Sequence, residues 1–206
     1  MATTTAARRE ARQGARERIL DTAYDLFSHR GIHAVGVDEL VERAGVAKAT
    51  LYKHFPSKHA LVLAFLEQRE QLWTHGWVES EARQRAATPA EQLLAIFDLF
   101  HEWFQADDFE GCSFINTLLE FRDLDHPVGR ASADYLENIR SVVRNLALEA
   151  DLRDPDAFAL AWHILMKGSI VQAAEGDRDA AKRAQMLGRL LIEHHRHEHG
   201  TAADAA

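Results

Sequence analysis

Cysteine occurs once in the 206 residues, at position 112. No intramolecular disulfide framework is possible, and a reducing compartment is the expectation. Proline is nearly as scarce. The four stand at 56, 89, 127 and 155, each where a helix should begin or end, because a fixed φ and a missing N–H suit a first turn but not an interior. No apolar run approaches the roughly 18 residues that a bilayer crossing needs; the longest candidates, such as ALVLAF at 60–65, read as core segments. The N-terminal MATTTAARREARQGARER has no apolar stretch of the secretory kind and no serine, so neither a signal nor a transit segment is expected and the chain reads as cytoplasmic. Also missing are an alternating strand pattern, G-x-S-x-G, H-E-x-x-H, the P-loop and G-x-G-x-x-G. No catalytic residue, cofactor or metal is expected. A helical enzyme with scattered catalytic groups is the least favoured alternative.

Apolar residues make up 47 % of the chain, enough for a sizeable core. Charge is uneven: residues 1–58 carry ten Lys and Arg against seven Asp and Glu, while the remainder carries fourteen against twenty-five. A basic end on an acidic protein, formal net charge −8, suggests that this end meets a polyanion; uneven patchiness is the plain alternative.

The apolar spacing is helical nearly throughout. It predicts helices over 8–29, 37–44, about 46–55 and a long fourth from Ser57 to about Arg85, then 89–105, 112–122, 127–150, 155–174 and 178–197. Thr88 and Pro89 suit the cap and first turn of the fifth. The expected architecture is all-α, with an N-terminal arm and helix-turn-helix domain at 1–56, a C-terminal ligand-binding and dimerisation domain at 57–200, and a disordered tail at 201–206. The fourth helix connects the two domains.

The stretch GVAKATLYKHFPSK at 45–58 carries the chemistry. Gly45 sits where a helix end needs positive φ, and Pro56 disfavours helix in the residue before it. On a helical wheel Ala47, Leu51 and Phe55 share one side, to pack on the preceding helices. Ala49 and Lys53 point the other way, flanked by Thr50 and Tyr52. A small, hydroxylated, basic face suits insertion into a major groove about 12 Å wide. Thr50, Tyr52, His54 and Lys58 can reach phosphates, which set register without reading bases; Lys48 completes the basic set. A solvated helix with a few lysines is the competing reading.

Residues 15–66, ARERILDTAYDLFSHRGIHAVGVDELVERAGVAKATLYKHFPSKHALVLAFL, closely resemble the DNA-binding region of the TetR/AcrR family of bacterial transcriptional regulators, over about a quarter of the chain. The resemblance implies an all-α homodimer on double-stranded, palindromic operator DNA, with repression relieved by a small-molecule effector. One departure stands at Gly36, where many relatives place Thr or Ser to cap the second helix and touch phosphate. Glycine caps without a side-chain acceptor, and Asp38 in the first turn is unfavourable near phosphate. In the basic arm, Arg8, Arg12 and Arg16 would form one stripe if helical, beside Arg9 and Arg18, able to follow a phosphate backbone or enter a minor groove; a solvated end explains them equally.

In the second block aromatics crowd together with a few polar groups, a composition that suits an apolar ligand as well as a plain core. Trp77, Phe100, His101, Phe104, Phe114, Asn116, Trp162 and Met166 are the candidates for ligand contact. The segment GCSFINTLLEFRDLDHPV at 111–128 resembles the helix 6–7 region of one branch of the same family. Cys112, near a helix start, permits a redox reading, with a small buried residue as the default. In HHRHEH at 194–199, His195 and His199 could share a metal, but a helix end explains them without one. The helix at 158–174 is apolar almost all round, more than one face of a monomer needs. By resemblance the last two helices form the dimer interface, with Trp162, Leu165, Gly168, Ser169, Ala173, Leu187 and Leu191 in it. The leading expectation is thus a repressor released by a small, largely apolar ligand. The alternatives are a ligand-independent DNA-binding protein or an activator.

Overall fold

A computed structural model describes residues 14–196. The arginines at 8, 9 and 12, His199 and the tail at 201–206 lie outside the described residues. Among the described residues ten α-helices follow one another: α1 Ala15–Arg30, α2 Val37–Arg43, α3 Lys48–His54, α4 Lys58–Arg69, α5 Ser80–Arg85, α6 Pro89–Gln105, α7 Ser113–Phe121, α8 Pro127–Glu149, α9 Pro155–Ala174 and α10 Ala180–His195. Among the described residues no strand forms; an isolated antiparallel bridge joins Leu152 and Arg196.

The caps follow the sequence chemistry. Ser57 accepts the Ala60 N–H at the start of α4. Thr88 and Glu91 form a reciprocal capping box ahead of Pro89 in α6, satisfying N-terminal donors that have no partner within the helix. The expected long fourth helix is corrected in its middle: Glu70–Glu79 between α4 and α5 is π-helical. Its wider turn leaves no mark on a 3.6-residue period, because apolar residues still recur three to four apart on both sides.

The residues fall into two compact units. Among the described residues, the first comprises 14–72 together with Cys112–Leu136; the second comprises Trp73–Gly111 together with 137–196. In the first unit α1 buries Ile19, Ala23 and Phe27, and Phe65 of α4 packs edge-on against Tyr24 and Phe27, each with ring centroids 5.5 Å apart.

In the second unit α9 and α10 pack on each other and on α6. Trp162 lies between Phe97 and Phe158, at 5.1 and 5.2 Å, and a methyl group on Gly188 would come within 2.8 Å of the Trp162 ring. Glycine in a helix interior costs about 1 kcal/mol against alanine; here it admits the indole. By length and composition α9 is apolar enough to cross a membrane, which corrects the expectation that no stretch approaches that limit. Phe158, Trp162, Met166 and Ile170 are buried within the chain, as a core helix requires.

His163 of α9 is 4 % exposed. Burial, aided by nearby Lys167 and Arg140, lowers its pKa from 6.5 to about 3. The unfolded chain takes up a proton near pH 6.5 that the folded ring refuses. The stability of the neutral ring is therefore intact above that pH and lost as pH falls towards 3, by about 1.4 kcal/mol per pH unit. Urea unfolding at pH 7 and pH 5 should show the wild type losing about 2 kcal/mol more than His163→Leu over that interval. Equal losses would remove the buried ring as the cause.

Candidate nucleic-acid interface

Leu40 of α2 and Leu51 of α3 are fully buried, and Phe55 just beyond α3 is 3 % exposed. These anchors tie two seven-residue helices to α1. The turn between them requires its glycine: Gly45 has φ +60°, a conformation that costs an L-residue roughly 1 kcal/mol or more. The Val46 N–H closes the turn on the Val41 carbonyl at 3.1 Å. Two arginines of α1 brace this assembly. Arg18 Nε donates to the Ala44 carbonyl at 3.3 Å, and the Arg16 guanidinium lies 5.1 Å from the Phe55 ring centroid.

The outward side of α3 carries Lys48, Ala49, Tyr52 and Lys53, all exposed, with Thr50 and His54 half-buried beside them. Ala47 departs from the wheel reading. It is the N-cap, extended at φ −73°, ψ 149°, and exposed, because helical spacing does not govern a residue outside the helix. Gly36 caps α2 in extended backbone without a side-chain bond, and open space surrounds the position where a Cβ would stand. Lys58 is half-buried and donates to the Ile32 carbonyl; burial lowers its pKa and Glu120 opposes that shift.

Asp38 is engaged by Lys48, Nζ to Oδ1 2.7 Å, with both side chains largely exposed. The hydrogen bond to Asp38 raises the Lys48 pKa. Arg30 and Arg43 pair likewise with Glu39. The α3 face thus combines a small centre at Ala49, hydroxyls at Thr50 and Tyr52 and cations at both ends. That shape and charge fit a duplex groove bordered by phosphates.

Phe100, Phe104, Trp162 and Met166 are buried in the second unit, with Trp77 and His101 half-buried there. Trp73, Trp77, Phe100 and Trp103 meet ring on ring at centroid separations of 5.5 to 6.3 Å. Phe114 and Asn116 fall in the first unit. Phe114 is buried against Tyr135 at 5.3 Å, and Asn116 is exposed. Of the expected interface residues, Gly168 and Leu187 are exposed and Leu165 and Leu191 half-buried, while Trp162, Ser169 and Ala173 are enclosed by their own chain. Cys112 is the buried N-cap of α7. His195 Nδ1 lies 2.6 Å from the Arg153 carbonyl, and its ring meets Phe158 at 5.3 Å. Spacing did not reveal Glu120, whose carboxylate bonds the backbone at Ile32 and His33; no local pattern marks a partner so far along the chain.

A short helix anchored by a buried leucine, a glycine turn and an exposed basic helix, braced by a longer first helix, define a helix-turn-helix protein of all-α class. Residues 19–65 match the bacterial regulatory proteins of the tetR family. Over that stretch, which holds α2 and α3 whole and most of α1 and α4, the chain is similar to that family. It is 34 % identical over 96 residues to the HTH-type transcriptional activator FasR of Mycolicibacterium smegmatis, 47 % of this chain and 43 % of that protein. It is 40 % identical over 70 residues to the HTH-type transcriptional regulator RutR of Escherichia coli, 34 % of this chain and 33 % of that protein. The matches therefore span less than half of either relative. Among solved structures, a TetR-family transcriptional regulator from Streptomyces coelicolor superposes with TM-score 0.81 at 28 % identity, over 88 % of this chain and 95 % of that one.

The Asp38–Lys48 pair generates a signed expectation. Asp38→Asn removes a negative charge from the face and frees Lys48 for phosphate. DNA affinity should rise, and the dependence of log affinity on log salt should steepen by about one unit. A gel-shift titration across salt concentrations measures both; unchanged affinity would mean that this edge of α2 and α3 stands away from the phosphates.

Proposed function

We propose that this chain is a cytoplasmic, DNA-binding transcriptional regulator that acts as a homodimer on a palindromic operator through α3. It represses until a small, largely apolar molecule binds. The observation that carries the DNA-binding part is the α3 face: Leu51 and Phe55 anchor the helix while Ala49, Tyr52 and Lys53 project outward. The protein should be mapped on its own upstream DNA by footprinting, and compounds then screened for loss of that footprint. Tyr52→Ala should weaken binding about tenfold on every sequence tested, the size of a lost hydrogen bond to a charged group. Lys53→Ala should also lower the salt slope by about one. Unchanged affinity in both variants would remove α3 from the interface.

The dimer reading is supported by apolar exposure on the last two long helices. Leu160, Ile164, Val171, Met186, Leu187 and Leu190 are 45 to 71 % exposed. A groove of about 290 Å³ runs among Ile164, Leu165, Gly168, Ala184 and Leu187. A second copy covering this surface removes it from water symmetrically. Gly168 has open space around it, so an arginine there leaves the monomer fold intact while placing a charge in the interface. Light scattering should give a dimer for the wild type at micromolar concentration and a monomer for Gly168→Arg; a dimeric variant would place the interface elsewhere.

The ligand reading is supported by the buried Trp162 indole Nε1, which has no hydrogen-bond partner. An unmet donor among apolar rings is a place where an acceptor on an apolar molecule gains most. Activation in place of repression is the second reading, favoured by the named activator among the relatives. Reporter expression with and without the gene separates the two.

A further inference from the structure

The loop joining α1 and α2 is held by a side chain from far along the chain. Glu120, next to last in α7, accepts the Ile32 N–H, with both carboxylate oxygens 3.0 Å from the nitrogen, and the His33 N–H at 2.8 Å. The His33 Nδ1 lies 3.1 Å from the same carboxylate. From the other side Lys58, at the start of α4, donates to the Ile32 carbonyl. Ile32 is 2 % exposed, so opposite charges from two helices grip one buried residue of backbone. Gly31 has φ +78°, and a methyl group there would collide with the Glu120 carboxylate. Helix α7, the loop and α1 to α3 all belong to the same compact unit.

We propose that Glu120 is a positioning residue of the DNA-binding surface, and that α7 sets the affinity of α3 for DNA by gripping or releasing the α1–α2 loop. This inference rests on the DNA-binding reading above. Helix α2 starts at Val37, five residues after Ile32, and α3 follows through the Gly45 turn. A seven-residue helix has no stability of its own, so freedom in the loop passes to α2 and then to α3. The Ile32 N–H, on a residue shielded from water, is also left without its acceptor when the carboxylate is lost. Charge alone predicts the opposite sign. Removing a carboxylate from a unit that meets a polyanion strengthens binding, whereas loss of the grip weakens it.

That opposition makes the test decisive. The full-length protein and its Glu120→Gln variant are titrated with the DNA fragment that the wild type protects, at several salt concentrations. Amide hydrogen exchange is followed at Ile32 and His33. A carboxamide offers its oxygen to one N–H and turns its own NH₂ toward the other. The grip predicts affinity about tenfold weaker, equal to the loss of roughly one hydrogen bond to a charged group, with an unchanged salt slope, because no phosphate contact is lost. It also predicts faster exchange at both amides. Glu120→Asp keeps the charge but is one methylene too short; it should weaken binding as well, and it carries the test if the glutamine variant fails to fold. Equal or tighter binding by the variants, or unchanged exchange at Ile32 and His33, overturns the proposal. If the wild type protects no DNA, the regulator reading falls and takes this one with it; normal wild-type binding with unaffected variants removes the grip alone.

Discussion

Everything in the helix-turn-helix depends on the burial of Leu51 and Phe55. Helix α3 spans Lys48–His54, about two turns, and a helix that short is unstable in water. It has no side-chain cap at its N-terminus. Its stability comes from packing, roughly 2 kcal/mol for each large apolar side chain taken out of water. The rest of the unit serves that burial. Helix α1 supplies the platform, Gly45 the reversal and Arg16 a cationic cover for the Phe55 ring. Because the inward residues carry the helix, the outward ones are free to be small, polar and basic.

The surface charges around this face contribute differently. The Lys48–Asp38 pair is largely exposed, and Arg30 and Arg43 reach a half-buried Glu39 from the surface; pairs this open to water add little to stability. Their effect is on the local field, since each acidic partner offsets the charge of a neighbouring cation. The Glu120 carboxylate is of another kind. It accepts two backbone N–H groups that belong to no helix, one of them on a residue shielded from water, so a polar contact there has a structural consequence that exposed pairs lack.

In the second unit, shape dominates. Trp162 is fully enclosed between two phenylalanines and the surface of Gly188, and on the Gly188 side there is no room even for a methyl group. The apolar residues that do not fit this core emerge on α9 and α10. The sequence registered the excess as a helix apolar almost all round, but periodicity cannot say which residues the core claims. Trp162, Ser169 and Ala173 proved to be enclosed by their own chain, and Gly168 and Leu187 outward.

The amino-acid order alone determined what depends on neighbours along the chain. Helix limits near Pro89, Pro127 and Pro155, the caps at Ser57 and Thr88, the turn at Gly45 and the two faces of α3 were legible because capping, φ preference and a 3.6-residue repeat act within a few positions. The same locality explains the misreadings. Ala47 lies one residue outside the helix whose wheel it was drawn on, and the π-helical turns of Glu70–Glu79 keep apolar spacing while changing the hydrogen-bond pattern. Tertiary structure alone decided that Lys58 bends inward to the Ile32 carbonyl, that His163 is a buried neutral ring and that Glu120 holds a loop 88 positions away. Burial and long-range hydrogen bonding depend on which surfaces the folded chain brings together, and that information is carried by no single stretch of residues.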